Sequence, residues 1–162
     1  MSFLKGMRGF TLIELMITVV LLTIVATVAV PNFTRFIQNN QVQAKADELK
    51  SLLQYARGQA VTRRKAYEIV FSKTGVKVSS SDRGVERTLG LNDTKVEANI
   101  VSPVGLSVVQ YTLKGTSLNN VEITVCSGDD FSNGYLIQIR KTGGVKMYKR
   151  GYKSNNELLT SC

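Results

Sequence analysis

One stretch limits what this chain can become more than any other: Phe10 to Val30, FTLIELMITVVLLTIVATVAV, 21 residues with a single charge, Glu14. As an α-helix rising ~1.5 Å per residue it would span about 30 Å, the thickness of the hydrocarbon core of a bilayer. The segment before it, MSFLKGMRG, carries Lys5 and Arg8 and no acid. That bias holds the N-terminus on the cytoplasmic side and sends the rest of the chain across. A secretory signal would be cut after its apolar stretch, behind small residues at alternating positions. Here the small residue, Gly9, comes before the stretch. Glu14 is the anomaly, because a carboxylate in an apolar span costs about 2.5–3.5 kcal/mol even on lenient insertion scales and as a rule has a partner.

These residues carry a resemblance. A basic leader ending in Gly9, then Phe10, Thr11, Leu12, Ile13, Glu14 and Leu15, and an apolar helix that meets Pro31, resembles the class III signal of type IV pilins and type II secretion pseudopilins. The resemblance implies that a membrane prepilin peptidase cuts after Gly9 and that Phe10 becomes the N-methylated first residue. It also implies that Glu14, then in fifth place, pairs with the terminal amine of a neighbouring subunit. The electrostatics agree, since an ammonium and a carboxylate attract strongly in a low dielectric while either alone is penalised. The residues leave one alternative open, an uncleaved signal anchor with an incidental Glu.

Length fits around that segment. Removal of residues 1–9 leaves 153 of the 162, enough for one membrane helix and one head of about 100 residues. The expected division is a leader at 1–9, a membrane and filament-core helix at 10–31 with Pro31 bending it, an amphipathic helix at 32–62 and a β-rich head at 63–162. The formal charge is +9, or +7 without Lys5 and Arg8. A surplus of that size favours anionic partners, whether nucleic acid, lipid headgroups or acidic protein faces. Cys126 and Cys162 make one possible pair, expected to be bonded in an exported domain. The bond would close a 37-residue loop and contribute roughly 4 kcal/mol on the chain-entropy estimate. Two free buried thiols are the other possibility.

Past Pro31 the pattern stays helical. Val42, Ala46, Leu49, Leu53, Ala56 and Ala60 recur at three- and four-residue steps, with Leu52 widening the face, while Lys45, Asp47, Glu48, Lys50 and Arg57 fall elsewhere. One side is therefore buried against the domain that follows, and the helix is expected to end near Thr62. The stretch YARGQAVTRRKAYEIVF, Tyr55 to Phe71, is similar to the GspH/FimT branch of minor pilins and pseudopilins. Read without that resemblance, Arg57, Arg63, Arg64 and Lys65 form a solvated helix end whose cations complement the helix dipole.

The period then changes to two. Tyr67–Phe71, Val76–Val78, Leu106–Leu113, Val121–Val125, Tyr135–Ile139 and Val145–Tyr148 are short β-branched and aromatic runs between Gly, Asn, Asp and Ser, which predicts antiparallel sheets. Thr142-Gly143-Gly144 is expected to turn a hairpin. Residues 79–102 hold few apolar side chains, so a long loop is expected there, with one added strand at Lys95–Val101. The order of strands and turns again resembles the head of the GspH/FimT branch. The fold class is thus α+β and type IV pilin-like: a long N-terminal helix, half membrane and half amphipathic, on an antiparallel β-sheet or β-sandwich head.

The chain contains no histidine, which removes Ser-His triads, Cys-His pairs and the commonest transition-metal ligand. No phosphate-cradling Gly-rich loop occurs. Asp129 and Asp130 lack the repeated acidic spacing of a calcium loop and read as a solvated turn. No catalysis, cofactor or metal is expected. A further candidate is the basic end of the chain, Arg140, Lys141, Lys146, Lys149, Arg150 and Lys153, interleaved with Tyr148 and Tyr152. Such residues suit phosphate contacts and base stacking. Some minor pilins of the branch bind DNA through a C-terminal GRxR motif; this chain has Arg150-Gly151-Tyr152-Lys153 in its place. A basic solvated hairpin, or a contact with an acidic neighbouring pilin, accounts for the same residues.

The sequence thus points to an inner-membrane structural subunit with its head in the periplasm. It would join a type IV pilus near the tip as a minor pilin, partnered by prepilin peptidase, other major and minor pilins and membrane lipid. A minor pseudopilin of type II secretion and a DNA-binding minor pilin are the alternatives.

Overall fold

The structure is a computed structural model that describes residues 9–91 and 95–162. The leader residues Lys5 and Arg8 lie outside the described residues. In chain order the elements are α1 (Leu12–Arg63), β1 (Tyr67–Ser72), β2 (Gly75–Ser80), β3 (Gly84–Gly90), β4 (Val96–Ser102), β5 (Val108–Tyr111), β6 (Val121–Ser127), β7 (Asp130–Ile139) and β8 (Val145–Met147). They form two compact units, Met1–Ile37 and Gln38–Cys162.

In the first unit α1 begins with a side-chain cap. The hydroxyl oxygen of Thr11 accepts the N–H of Glu14 at 3.3 Å and its carbonyl accepts the N–H of Leu15 at 3.2 Å. Thr-x-x-Glu at this place is the sequence form of a capping box, which also sets a carboxylate against the positive end of the helix dipole. The helix continues through Pro31, as the sequence suggested. The amide of the next residue also bonds within the helix, with Asn32 Nδ2 donating to the Val28 carbonyl at 3.0 Å.

The second unit places two four-stranded antiparallel sheets, ordered β3-β2-β1-β5 and β4-β6-β7-β8, in one core with the rest of α1. Val42, Ala46, Leu49, Leu52, Leu53, Ala56 and Ala60 are all buried, which is the whole apolar stripe read from the sequence. They meet Tyr67, Ile69, Val76 and Val78 of the first sheet and Ile123, Val125, Ile137 and Ile139 of the second. Burial of each large side chain contributes roughly 1.5–3 kcal/mol. Cys126 and Cys162 are bonded, with a Cα–Cα distance of 6.1 Å, and pack with Leu136 and Leu159 in a smaller cluster. Gly134 makes room for the sulfur, since a Cβ there would lie 2.5 Å from Cys126 Sγ.

The helix ends one residue beyond Thr62, and a non-glycine residue stops it. Arg64 has φ 52°, and the N–H of Lys65 returns to the Ala60 carbonyl at 3.3 Å, the six-to-one bond of a Schellman cap. A β-carbon in the left-handed region costs about 1 kcal/mol, and Arg64 is exposed. Arg64→Gly is therefore expected to stabilise the head by about 0.5–1 kcal/mol, read as a higher thermal midpoint.

Two expectations need correction. Residues 79–102 are not one long loop with a single strand, because β3 lies among them in addition to β4. β3 is an edge strand on which only Leu89 is buried, so backbone pairing with β2 holds it and no apolar alternation announces it. A bulge hides it further: Val78 pairs with Arg87 and Ser79 with Val85, leaving Glu86 as the extra residue. β5 is also shorter than Leu106–Leu113. The chain turns at once after Tyr111, with the Thr112 N–H bonded to the Thr116 carbonyl at 2.9 Å and Gly115 at φ 73°.

Candidate functional site

The first unit presents an apolar surface. From Phe10 to Ile37 the large apolar side chains are exposed, and the helix is long and apolar enough to cross a membrane. Most polar groups along it are already satisfied by their own helix. Thr18, Thr23, Thr27 and Thr34 donate their hydroxyls to carbonyls three or four residues back at 2.7–2.9 Å, and Asn32 does the same with its amide. The Glu14 carboxylate is different, having no partner among the described residues. Gly9, the expected cleavage position, and Phe10 are both exposed.

In the second unit the end of α1 is engaged, not solvated. Arg57 Nε donates to the Gly115 carbonyl at 3.0 Å and Nη2 to the Thr142 carbonyl at 3.2 Å. One guanidinium thus ties the helix to the β5–β6 connection and to the β7–β8 hairpin. Reading Arg57 and Arg63 as a solvated end is corrected on this ground, since a charged group stays half-buried where fixed acceptors replace water. Arg64 is exposed, and Lys65 pairs with Asp82.

The bulge at Glu86 turns its carboxylate toward the helix. Tyr55 donates to Oε2 at 3.1 Å and Tyr67 to Oε1 at 3.0 Å. The Ser80 hydroxyl lies 3.4 Å from Oε1, and Arg63 Nη1 lies 3.7 Å away. Burial pushes the Glu86 carboxyl up, but the hydroxyls of Tyr67 and Tyr55 and the Arg63 and Arg83 guanidiniums outweigh it and hold it below the ordinary value. Burial and the facing carboxylate push the Tyr67 phenol up. The bonds from Lys65 and Ser80 bring Asp82 down to about 2. A carboxyl depressed on folding stabilises the fold above its unfolded value and loses that contribution as pH falls through its folded value. Head stability should therefore drop as pH falls below the ordinary Glu value of 4.5. Thermal midpoints between pH 7 and 3 should show a smaller drop for Glu86→Gln.

The basic C-terminal residues do not share one environment. Arg150 donates from Nε to the Tyr135 hydroxyl at 3.1 Å and from Nη2 to the Asn39 carbonyl at 3.3 Å and to Gln43 Oε1 at 3.0 Å, so it ties the C-terminal segment to α1. Lys153 pairs with Glu157 at 3.4 Å, and Lys146 lies over the Tyr148 ring. Lys149 is exposed. Arg140 and Lys141 stand at the β7–β8 turn, beside the connection held by Arg57: the Ser117 N–H donates to the Lys141 carbonyl at 3.0 Å. Asp130 is occupied locally by Ser132 and Asn133, and no group of three or more metal-ligating side chains occurs among the described residues. The Glu86 cluster and the Arg57 tie were missed in the sequence. A bulge and backbone acceptors leave no periodic trace there.

Comparison with known proteins agrees with this architecture. Residues 4–30 match the prokaryotic N-terminal methylation motif, and residues 45–143 match the family described as type II transport protein GspH. A fimbrial protein of Pseudomonas aeruginosa is 31% identical over 131 residues, covering 78% of this chain and 83% of that protein. The type IV major alpha-pilin of Moraxella bovis is 25% identical over 142 residues, covering 88% and 84%. The crystal structure of the Pseudomonas aeruginosa type IV minor pilin FimU superposes with a TM-score of 0.60 at 24% identity, over 70% of this chain and 92% of that one, and so shares the fold. With an exposed apolar helix behind a methylation motif and a two-sheet head completed by the same helix, the chain belongs to the type IV pilin-like proteins of the GspH family.

Proposed function

We propose that this chain is a structural minor subunit of a type IV pilus. Prepilin peptidase cuts after Gly9, Phe10 is N-methylated, and the helix waits in the inner membrane with the head in the periplasm until the subunit joins the fibre at or near its tip. The supporting observation is the exposed apolar surface from Phe10 to Ile37, in whose first 21 residues, Phe10 to Val30, Glu14 is the one charged side chain and its carboxylate has no partner among the described residues. Lipid and neighbouring helices are both apolar, so passage from membrane to fibre changes apolar exposure little and needs only a motor outside this chain. The Glu14 carboxylate then pairs with the amine of a neighbouring subunit. Mass spectrometry of the mature protein tests the reading: residues 1–9 should be absent and Phe10 heavier by one methyl, and an intact Met1 in fibre fractions would refute it.

A minor pseudopilin of type II secretion is the second reading, favoured by the family match over residues 45–143. Which machinery loses function when this chain is deleted, fibre display or protein secretion, decides between them. A DNA-binding role for the C-terminal basic residues rests on Arg140, Lys141, Lys146 and Lys149, because Arg150 and Lys153 are engaged within the head. If that role holds, Lys146→Ala with Lys149→Ala should weaken retardation of DNA at low salt.

A further inference from the structure

Four segments meet at the C-terminal end of α1. They are the helix end with the turn after it, 55–66; the β2–β3 turn with the start of β3, 80–87; the β5–β6 connection, 112–120; and the β7–β8 turn, 139–144. The contacts that bring them together are Arg57 to Gly115 and Thr142, Arg63 to Glu86, Lys65 to Asp82 and Ser117 to Lys141. These segments carry nine Lys and Arg residues against two acids, Asp82 and Glu86, and both acids are already engaged. Arg64, Arg83, Lys114, Arg140 and Lys141 are exposed and have no acidic hydrogen-bond or ion-pair partner among the described residues. Among the cations stand four exposed branched side chains, Val61, Val85, Leu113 and Leu118, 49–58% accessible.

We propose that this end of the head is a docking surface for the head of another pilin-type subunit presenting an acidic and partly apolar face. The inference rests on the fibre-subunit reading and adds to it where the partner sits. Three observations select the partner. Nucleic acid gains nothing from exposed Val and Leu, and a stacking platform is missing: Tyr55, the one aromatic in the four segments, is half-buried with its ring covered by Arg87 at 3.9 Å. Within the head, α1 rises about 38 Å from Gln38 to Arg63 at ~1.5 Å per residue, several times the ~8–10 Å over which charges act in physiological salt, so these cations do not share the field of a surface that meets the Gln38 end. A second copy placed end to end would oppose like charges. Apolar side chains among arginines are instead the composition of protein interfaces, where an acidic counterpart supplies orientation and rate.

The test uses the full chain in cells that assemble it, with a photo-crosslinking amino acid at Val61, Val85 or Leu113, and at the exposed Val104 outside the four segments as control. Irradiation should give an adduct with a pilin-type subunit through an acid-rich peptide at the three positions and not at Val104. Arg83→Glu with Lys114→Glu should lower the yield at least tenfold, while an intact Cys126–Cys162 bond on a non-reducing gel shows that the head has folded. Three results would overturn the inference: no adduct at any of the three positions, an adduct with nucleic acid, lipid or a protein of another type, or a yield that charge reversal leaves unchanged. Failure of the fibre-subunit reading is seen separately, as an unprocessed N-terminus and absence from fibres.

Discussion

Glu14→Ala is expected to leave the chain inserted, cleaved and folded, yet to lower its share in assembled fibres at least tenfold. The carboxylate lies in a stretch whose threonines and asparagine bond to their own helix, while its own oxygens have no partner among the described residues. Two roles compete for it. As the third residue after the Thr11 cap it supports the helix start, a contribution of about 0.3–1 kcal/mol. As one half of a subunit–subunit ion pair it carries more: unit charges 4 Å apart attract by roughly 4 kcal/mol at an effective dielectric of 20, before the cost of desolvation. A net loss of only ~1.4 kcal/mol is already tenfold. Glu14→Gln separates the roles, since an amide keeps the capping geometry and drops the charge. Under pairing, Gln should be nearly as defective as Ala in quantitative immunoblots of sheared fibres. A Gln variant assembling at the normal level would leave capping as the whole role of Glu14.

Gly143→Ala is expected to destabilise the head by about 3 kcal/mol or more, lowering its thermal midpoint by about 10 °C. Gly143 has φ 82°, where a side chain costs about 1 kcal/mol, and an added Cβ would lie 1.8 Å from the Gly115 carbonyl oxygen and 2.8 Å from Arg57 Nε. Neither neighbour yields cheaply, because that oxygen is the acceptor of the Arg57 bond. The substitution would push apart the β5–β6 connection and the β7–β8 hairpin at the point where one arginine holds both. Gly84→Ala is the control: its φ is 68°, but nothing lies within 4 Å of the added carbon, so it should cost only the backbone term of about 1 kcal/mol. Equal midpoints for the two variants would show that the close approach of the two loops is not what Gly143 serves.

Much of the fold could be read from residues whose neighbours are near in sequence. The stripe from Val42 to Ala60 is buried as its spacing predicts, and β1, β4, β6 and β8 lie within a residue or two of the runs that announced them. β3 escaped because an edge strand with one buried side chain needs no alternation, and the extra residue Glu86 breaks the period. Arg57 looked solvated because its acceptors lie 58 and 85 residues away and are backbone carbonyls, a type every residue offers. Arg150 looked like one member of a basic hairpin for the same reason, its partners Asn39 and Gln43 being more than 100 residues upstream.

What the sequence determined alone is a single helix with two kinds of surface, apolar nearly all round as far as Val30 and striped from Val42 on, followed by strands and one possible cysteine pair. Helical and strand periods and apolar runs are local properties, and local patterns suffice to state them. Tertiary structure alone decided which charges are free. Arg57, Arg63 and Arg150 are held inside the head, Glu86 collects hydroxyls from helix and strand, and Arg64, Arg83, Lys114, Arg140 and Lys141 are left facing outward at one end. A cation stays exposed or becomes anchored according to whether folding carries an acceptor to it, and that depends on chain segments that meet only in the finished fold.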